Sequence, residues 1–381
     1  MSTRRVKCGV VGCGVIANDI YLPTLRDKAE LVATCDIIEE RAKRSMELWG
    51  AKEYYNNIDN MLRKADIEAV FILTAMGTHA LLAAKAARAG KHVLIQKPFA
   101  TNIRDAEVAL RAVKKAHVKA LVEPNVQMSP LNLKAKAILD EGTIGDIYWF
   151  RAGLGRGPPT WSEKTFFTRQ AGGPIYDLGV YNIATLTFLL GPATKVTGLS
   201  KISIPEVAIV PDELFTENLS HKPYESFWKA LGTAQLSKRI KVGAEDNTVT
   251  LLSMRSGSLG CVIANFVTPD GLRRDIGNMP DIEIYGSKGA LFIHGQTPLS
   301  VLTLKKESKY YSPSGWYHVP KEELPRWNYY VASTEHFLDC VANDKDPLPS
   351  IDWGMHVSEI MIKSIQSSRT ARTLKLTSSF R

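Results

Sequence analysis

Short apolar runs alternate with helix-like amphipathic stretches through the first 125 residues of the chain. Helical spacing of apolar residues occurs at Arg41 to Trp49 and at Ala80 to Ala89, between runs that are too short to be helices. This alternation predicts βαβ units, and therefore a doubly wound parallel sheet of the α/β class. We expect the strands near Val6 to Val11, Leu31 to Cys35, Ala69 to Leu73, His92 to Ile95 and Ala120 to Val122.

The hydrophobic pattern changes after Pro130. Helical spacing at Leu131 to Leu139 is followed by a strand-like run near Ile147 to Ala152, and a longer helix is expected from about Ile175 to Leu190. Strand-like runs separated by turn residues then indicate a large open sheet that is mainly antiparallel, and hence an α+β second domain. These runs are Thr248 to Arg255, Leu259 to Val267, Asp281 to Tyr285 and Ala290 to His294.

Three further segments complete the predicted organisation. The stretch Ile204 to Arg239 has little periodicity, so we interpret it as an insertion of loops with a short helix. Helical spacing returns at Ser333 to Val341 and at Met355 to Arg369, and the second of these helices is expected to pack back on the first domain. We divide the chain into a first domain (1–125), a second domain for substrate and oligomerisation (126–350), and a C-terminal helix and tail (351–381) that pack toward the first domain.

The composition of the chain mainly excludes some classes of function. The 381 residues carry a formal net charge of +9, but the basic residues are spread along the chain, whereas a nucleic-acid interface requires them to cluster. No apolar run reaches the roughly 18 residues that a membrane helix needs. The N-terminal residues show no secretory signal and the five cysteines lack CxxC spacing, so we expect a cytoplasmic protein with reduced thiols.

A glycine-rich turn follows the first apolar run. Gly12 permits a tight turn, and Gly14 lets the backbone approach a pyrophosphate at the N-terminus of the next helix. Asp36 closes the second run, 22 residues after Gly14, where a carboxylate binds the ribose hydroxyls of NAD and repels the 2′-phosphate of NADP. The pattern predicts a Rossmann domain that binds NAD, while nearby Arg41 leaves NADP open.

Ligands of doubly wound sheets bind beyond the carboxyl ends of the strands, so the residues that follow each run are candidates for cofactor contact. Among them, His79 is expected to fix the cofactor loop that follows the third run. The predicted cofactor-binding residues are Gly12, Gly14, Val15, Ile16, Asp36, Arg41, Thr74, Ala75, His79, Gln96, Lys97 and Asn125.

Lys97 is the first candidate for chemistry, because it follows the fourth run and therefore lies at the edge of the sheet where the nicotinamide is expected. Its ammonium could hydrogen-bond the reacting oxygen and lower the pKa of a neighbouring acid or base. A surface lysine that happens to precede the turn at Pro98 is the alternative interpretation.

Asp177 and Tyr181 form the second candidate pair. They lie four residues apart after the glycines Gly172 and Gly173, so they share one face of the predicted helix. A carboxylate and a phenol one turn apart can bind a polyol and transfer a proton, provided that a cation such as Lys97 lies near the phenol. The alternative is an ordinary acid in the first turn of a helix and a tyrosine of the core.

Other candidates are weaker. Trp161 and Arg169, in the loop ahead of the glycines, are predicted to contact the substrate by stacking and hydrogen bonding, although a loop tryptophan also commonly caps a core. No cluster of His, Cys and Asp has the spacing of metal ligands, so we expect hydride transfer without a metal.

Taken in order, these motifs resemble the Gfo/Idh/MocA family of sugar and polyol oxidoreductases over essentially the whole chain. The resemblance implies that Lys97 is the motif lysine, that Asp177 orients the substrate, and that Tyr181 donates or accepts the proton. It also implies a homodimer or homotetramer formed through the open face of the second sheet. The residues that carry it are Gly12 to Gly14, Asp36, Thr74 to His79, Gln96 to Pro98, Gly172 and Gly173 with Asp177, Gly179 and Tyr181, and Ile284 to Gly289.

Three positions depart from the family pattern. Gln96 replaces the usual glutamate before the lysine, which removes a charge but keeps hydrogen-bonding capacity. Tyr181 replaces the usual histidine, as in the branch that resembles glucose-fructose oxidoreductase and the dimeric dihydrodiol dehydrogenases. Gln127 stands where an arginine is common, which affects the expected contacts beside the nicotinamide.

The sequence therefore predicts an NAD(P)-dependent oxidoreductase that moves a hydride between nicotinamide and a secondary alcohol or ketone of a sugar, a nucleotide-sugar or a cyclic polyol. Two alternatives remain open at this point. One is a non-catalytic regulatory protein that binds a dinucleotide or sugar, and the other is a dehydrogenase of a non-sugar dihydrodiol.

Overall fold

Two sheets organise the part of the chain that the computed structural model describes, which comprises residues 4–211, 224–269, 281–294, 298–325 and 328–380. Within these residues the first sheet has six parallel strands in the order β3-β2-β1-β4-β5-β6, the arrangement of a Rossmann domain. Its strands are β1 (Lys7–Val11), β2 (Glu30–Cys35), β3 (Glu53–Tyr55), β4 (Ala69–Ile72), β5 (His92–Ile95) and β6 (Ala120–Val122).

Five helices from residues 4–125 flank this sheet, and small side chains let them approach it closely. Ala83, Ala84, Ala86 and Ala87 are all fully buried, so one helix packs against both the strands and its neighbouring helix. The five predicted runs are confirmed as strands, whereas the exposed edge strand β3 was not predicted. The helices are α1 (Leu22–Lys28), α2 (Glu39–Trp49), α3 (Ile58–Lys64), α4 (His79–Arg88) and α5 (Ile103–Ala116).

The second sheet has nine strands within the described ranges and is antiparallel except for one parallel pair, β7 with β12. The prediction of a mainly antiparallel open sheet is therefore confirmed. Its outer face exposes apolar side chains, including Leu199, Leu251 and Leu259. The strands are β7 (Ile147–Gly155), β8 (Ala193–Lys201), β11 (Asn247–Met254), β12 (Leu259–Asn265), β13 (Asp281–Gly286), β14 (Gly289–Ile293), β15 (Ser300–Thr303), β16 (Tyr317–His318) and β17 (Leu374–Lys375).

Helices cover the inner face of the second sheet, and an insertion projects from it. In the insertion, β9 (Glu206–Ile209) and β10 (Lys238–Lys241) form an antiparallel ribbon. The short helix that we expected there is present, but the ribbon was not predicted, and residues 212–223 lie outside the described part of the chain. The helices are α6 (Pro130–Asp140), α7 (Glu163–Phe166), α8 (Val180–Leu190) and α9 (Tyr224–Thr233).

Two C-terminal helices return toward the first sheet. Helix α10 (Tyr329–Ala342) packs Phe337 edge-on against Phe71 of β4, with ring centroids 5.5 Å apart. Helix α11 (Ile351–Thr370) contacts both domains, since Ala100 N–H donates to Ser358 Oγ (3.2 Å) and Ala193 N–H donates to His356 Nε2 (3.0 Å).

The C-terminal tail departs from our expectation. It does not pack with α11 toward the first domain, because β17 pairs with β8 of the second sheet. Glu359 on α11 fastens it there by accepting hydrogen bonds from Thr377 and Ser378 and pairing with Lys363. The domain limits at residues 125 and 350 stay predictions.

Candidate active site

The glycine turn lies at the carboxyl edge of the first sheet. Gly12 has φ +94°, and a Cβ there would lie 2.6 Å from Leu73 O, so no other residue fits. At Gly14, by contrast, a Cβ would meet no protein atom within 4 Å. The helix that follows begins with a π-helical turn at Ala17–Tyr21, and Asn18 Nδ2 donates to the carbonyl oxygens of Cys13 and Gly14 (2.9 Å each). The turn is thus held open beside a helix N-terminus, as phosphate binding requires.

Asp36 ties the end of β2 to the glycine turn. Its Oδ2 accepts the Cys13 N–H at 2.8 Å and its Oδ1 accepts the Ile38 N–H at 2.9 Å. Each carboxylate oxygen retains a further lone pair for a ligand hydroxyl. Arg41 lies in the first turn of α2.

His79 connects the loops after β4 and β5. Its Nδ1 lies 2.8 Å from Pro98 O and its Nε2 lies 2.8 Å from Thr74 O. The side chain is only 1% exposed, and burial lowers the pKa of His79. This contact pattern agrees with the predicted loop-fixing role, and a direct contact with a cofactor stays a prediction, as it does for Thr74 and Ala75.

Lys97 meets Asp177 across the two domains. Lys97 Nζ lies 2.9 Å from Asp177 Oδ1, and the second carboxylate oxygen accepts from Arg156 Nη2 at 2.8 Å. Burial opposes ionisation of Asp177, but Lys97 and Arg156 outweigh it and hold its pKa below the ordinary value. The carboxylate therefore stays charged between two cations.

Tyr181 lies next to this ion pair. Lys97 Nζ is 5.1 Å from the centroid of the Tyr181 ring. Asp177 belongs to a π-helical turn at Ile175–Gly179, and Tyr181 lies at the start of α8, so the predicted helix is present but begins with a wider turn. The structure thus brings together the three predicted catalytic side chains.

A buried polar network lies behind Lys97. Gln96 Oε1 accepts the Lys97 N–H at 2.8 Å, and Gln96 Nε2 donates to Tyr21 Oη at 2.9 Å. Tyr21 in turn donates to Glu123 Oε1 at 3.1 Å, while Asn125 N–H donates to Glu123 Oε2 at 2.8 Å. Glu123 is 2% exposed, and burial raises its pKa to about 7.

The two predicted substrate residues of the 156–172 loop differ in placement. Trp161 stacks near the Arg156 guanidinium, whose carbon lies 5.4 Å from the centroid of the tryptophan ring, and so lies beside the ion pair at Asp177. Arg169 is exposed, and none of the hydrogen bonds described for this site includes it. A role for Arg169 in substrate binding stays a prediction without structural support.

Sequence reasoning named neither Arg156 nor Tyr21 as a part of this site, and it assigned no role to Glu123. Glu123 directly follows β6, and the rule that ligands bind at the carboxyl ends of strands places it among the residues to inspect. Arg156 is the residue directly after β7, but it belongs to no recognisable sequence motif. Among the described residues, no group of His, Cys, Asp and Glu side chains has the arrangement of a metal site. No helix in these ranges is long and apolar enough to cross a bilayer.

Comparison with known proteins finds two family models that match the chain. A family model described as "Oxidoreductase family, NAD-binding Rossmann fold" matches residues 6–123, and one described as "GFO/IDH/MocA C-terminal domain" matches residues 132–292. D-apiose dehydrogenase of Paraburkholderia graminis is 23% identical over 99% of this chain and 91% of its own length. scyllo-Inositol 2-dehydrogenase (NAD(+)) of Bacillus subtilis is 25% identical over 98% of this chain and 96% of its own length.

Solved structures share the fold over its full extent. A levoglucosan dehydrogenase in complex with NADH and levoglucosan has a TM-score of 0.77, with 20% identity over 98% of this chain and 99% of that one.

Proposed function

The chain belongs to the Gfo/Idh/MocA family of NAD-binding oxidoreductases, and we propose that it oxidises a secondary alcohol of a sugar, nucleotide-sugar or cyclic polyol, or reduces the matching ketone. The observation that carries this proposal is the ion pair between Lys97 and Asp177, with Tyr181 beside it at the carboxyl edge of the Rossmann sheet.

The first domain fits a dinucleotide. Gly12, Gly14, Val15 and Ile16 would surround the pyrophosphate, because the space beside Gly14 is free of protein atoms. Asp36 would bind the adenosine ribose through its remaining lone pairs, which favours NAD over NADP. Asn125 Oδ1 is buried without a partner in the described residues, and so offers an acceptor to a ligand amide.

The chain's own side chains supply the proton chemistry. The bound nicotinamide would accept or return the hydride. Tyr181 removes the proton of the substrate hydroxyl, because the nearby Lys97 ammonium favours its phenolate form. Asp177, held by Lys97 and Arg156, accepts a hydrogen bond from a second hydroxyl and orients the substrate.

The relatives indicate the substrate class. Their names point to apiose and inositol, which carry several neighbouring hydroxyls, and the ionised Asp177 suits such a compound. Trp161 would provide an apolar face for the ring of a sugar.

The test is reduction of NAD across a panel of pentoses, hexoses, nucleotide-sugars and inositols, followed at the absorbance of NADH. We expect at least one polyol to give turnover that falls by about 10² or more in both Lys97→Met and Tyr181→Phe. Near-normal turnover in both variants, or NAD binding without reduction by any member of the panel, would refute the proposed assignment.

We further propose that the open face of the second sheet joins two copies of the chain. Trp149 and Tyr285 stack there with ring centroids 4.5 Å apart, and Leu251 and Leu259 are 48% and 57% exposed. An apolar face of this kind is typical of an interface. Sedimentation should give a dimer or tetramer that Leu259→Asp dissociates. A wild-type monomer would contradict the proposed association of two copies.

We also propose that the protein is located in the cytoplasm. Its five cysteines are free thiols, which suits a reducing compartment.

A further inference from the structure

Four polar side chains form a buried hydrogen-bond network behind Lys97, and the proposed chemistry uses none of them. Glu123, Tyr21, Gln96 and Ser333 are each at most 6% exposed. Because solvent does not reach these groups, each donor requires an acceptor inside the protein. The direction of every hydrogen bond in the network therefore depends on how many protons its members carry.

Glu123 is the acceptor of this network. Its Oε1 accepts from the hydroxyl groups of Tyr21 (3.1 Å) and Ser333, and its Oε2 accepts the Asn125 N–H at 2.8 Å. All three donors are neutral, and an ionised carboxylate, which can only accept, suits all three. Burial, and then the charge of Glu123, raise the pKa of Tyr21 well above its ordinary value, so Tyr21 keeps the proton that it donates.

The carboxylate of Glu123 determines which way the Gln96 amide faces. Because Tyr21 directs its only proton to Glu123, its oxygen accepts from Gln96 Nε2, which lies 2.9 Å away. The amide oxygen of Gln96 then faces the Lys97 N–H, from which it accepts at 2.8 Å. With the amide reversed, Gln96 Nε2 would face the Lys97 N–H, and two donors would oppose each other.

We propose that Glu123 is a positioning residue for Lys97, since its carboxylate acts through Tyr21 to orient the Gln96 amide that holds the Lys97 backbone. This inference rests on the proposed function, in which Lys97 acts at the substrate. From the backbone position that Gln96 fixes, Lys97 Nζ reaches Asp177 Oδ1 at 2.9 Å. The three linked side chains Glu123, Tyr21 and Gln96 are called the relay below.

Either single exchange of acid and amide should damage the relay. Glu123→Gln removes one acceptor, so one of three donors, Asn125 N–H, Tyr21 O–H or Lys97 N–H, must lose its partner. Gln96→Glu instead places two carboxylates beside the single proton of Tyr21, and their repulsion is not compensated by a cation in the relay.

The double exchange Gln96→Glu/Glu123→Gln should restore the relay in the opposite direction. The amide introduced at position 123 can donate to Tyr21, and Tyr21 can donate to the carboxylate introduced at position 96. That carboxylate still accepts the Lys97 N–H. The hydroxyl of Ser333 can turn to Tyr330 O, which lies 3.3 Å away.

The experiment measures kcat and KM for the wild type, both single variants and the double exchange with the polyol that the panel identifies. The assays are run at about pH 8.5, above the pKa of about 7 that burial gives Glu123. Each single variant should lower kcat about tenfold and change KM less than about twofold, because one hydrogen bond that positions Lys97 is lost. The double exchange should return kcat to within about threefold of wild type.

Glu359→Gln is the matched control. Glu359 is also buried and accepts from hydroxyl and backbone N–H groups, but these belong to the C-terminal tail. The variant should keep the wild-type kcat, and adding it to Gln96→Glu should give no recovery. Wild-type kcat in Glu123→Gln, or a double exchange with no higher kcat than the less active single variant, would overturn the inference.

A second readout follows the Lys97 N–H itself and requires no substrate. In protein labelled with nitrogen-15 lysine, the amide signal that Lys97→Met removes should shift in Glu123→Gln and stay in place in Glu359→Gln. An unmoved signal in Glu123→Gln would exclude the role of Glu123, whereas the expected shift without turnover on any polyol would contradict the proposed function alone. If Glu123→Gln does not fold, the double exchange should restore folding, and its failure to do so would also overturn the inference.

Discussion

Lys97 Nζ lies 2.9 Å from Asp177 Oδ1 and 3.1 Å from the carbonyl oxygen of the same residue, although the two residues are 80 positions apart in the chain. Lys97 lies at the carboxyl edge of the Rossmann sheet, and Asp177 lies in the π-helical turn that leads into α8 of the second domain. The ion pair therefore forms only when the domains dock, and docking also brings Lys97 next to Tyr181.

Tyr181→Phe tests the proton-transfer role directly. The variant keeps the ring beside Lys97 but removes the hydroxyl, so we expect turnover to fall by about 10² or more, with NAD binding unchanged. Steady-state kinetics and a fluorescence titration with NADH measure the two quantities. Near-normal turnover on the true substrate would remove this role from Tyr181.

Asp36→Ala tests the choice of cofactor. Loss of the carboxylate should weaken NAD about tenfold and NADP much less, because the repulsion of a 2′-phosphate is lost together with the contact to the ribose. Asp36 also accepts the Cys13 N–H, and loss of that hydrogen bond should affect the binding of both cofactors. The measurement is therefore the ratio of the dissociation constants of NAD and NADP. Glu39→Ala, an exposed acid in the next helix, is the control. An unchanged ratio in Asp36→Ala would refute the assignment.

The two glycines of the turn should respond differently to alanine. Gly12→Ala forces a Cβ against Leu73 O at a positive φ, so it should destabilise the fold by about 3 kcal/mol. Gly14→Ala meets no protein atom and should leave stability within about 0.5 kcal/mol of wild type. If the space beside Gly14 is the pyrophosphate site, its affinity for NAD should nevertheless fall about tenfold or more. Thermal melts with and without NAD distinguish these effects, and a Gly14→Ala variant with full NAD affinity would place the pyrophosphate elsewhere.

Glu359 makes the stability of the fold depend on pH in the acid range. Burial opposes its ionisation, but Lys363, Ser378 and Thr377 outweigh that and lower the pKa of Glu359 to about 2. The depressed pKa stabilises the folded state fully above the ordinary pKa of glutamate, and this contribution is lost as pH falls from about 4 toward 2.

Glu359→Gln should therefore lower the free energy of unfolding by about 2–3 kcal/mol at pH 7 and by much less near pH 3. Urea unfolding at several pH values measures the difference. Glu335→Gln breaks an ion pair with Lys28 whose two side chains are half exposed, and it should change stability little at any pH. An equal loss in Glu359→Gln at pH 3 and pH 7 would contradict the linkage.

The sequence predicted the parts of this molecule that are encoded locally. The Gly12 turn, Asp36 and Lys97 each sit directly after an apolar run, and the rule for doubly wound sheets places all three at one edge. Strand β3 escaped prediction because its three residues lie at the exposed edge of the sheet and show no apolar run. The π-helical turn before Tyr181 was not predicted because its five residues share the apolar spacing of the helix that follows.

The roles of the supporting side chains could not be predicted because they depend on contacts with distant parts of the chain. Glu123 lies after β6, at the expected edge of the sheet, but only the packing of Tyr21 and Ser333 encloses its carboxylate. Arg156 likewise acquires a role only through Asp177. The tail was placed on the wrong domain, since two residues that pair with β8 carry too little pattern to reveal their partner.

Helix α11 has a consequence for how the molecule melts. Its Ser358 bonds the backbone of the first domain, while its His356 and Ser364 bond the second, the latter through Thr250 Oγ1 at 2.6 Å. Neither domain can lose its structure without breaking contacts to a helix that the other also needs. The two domains are therefore expected to unfold as one cooperative unit. Calorimetry of this chain should show a single transition in which both sheets are lost together.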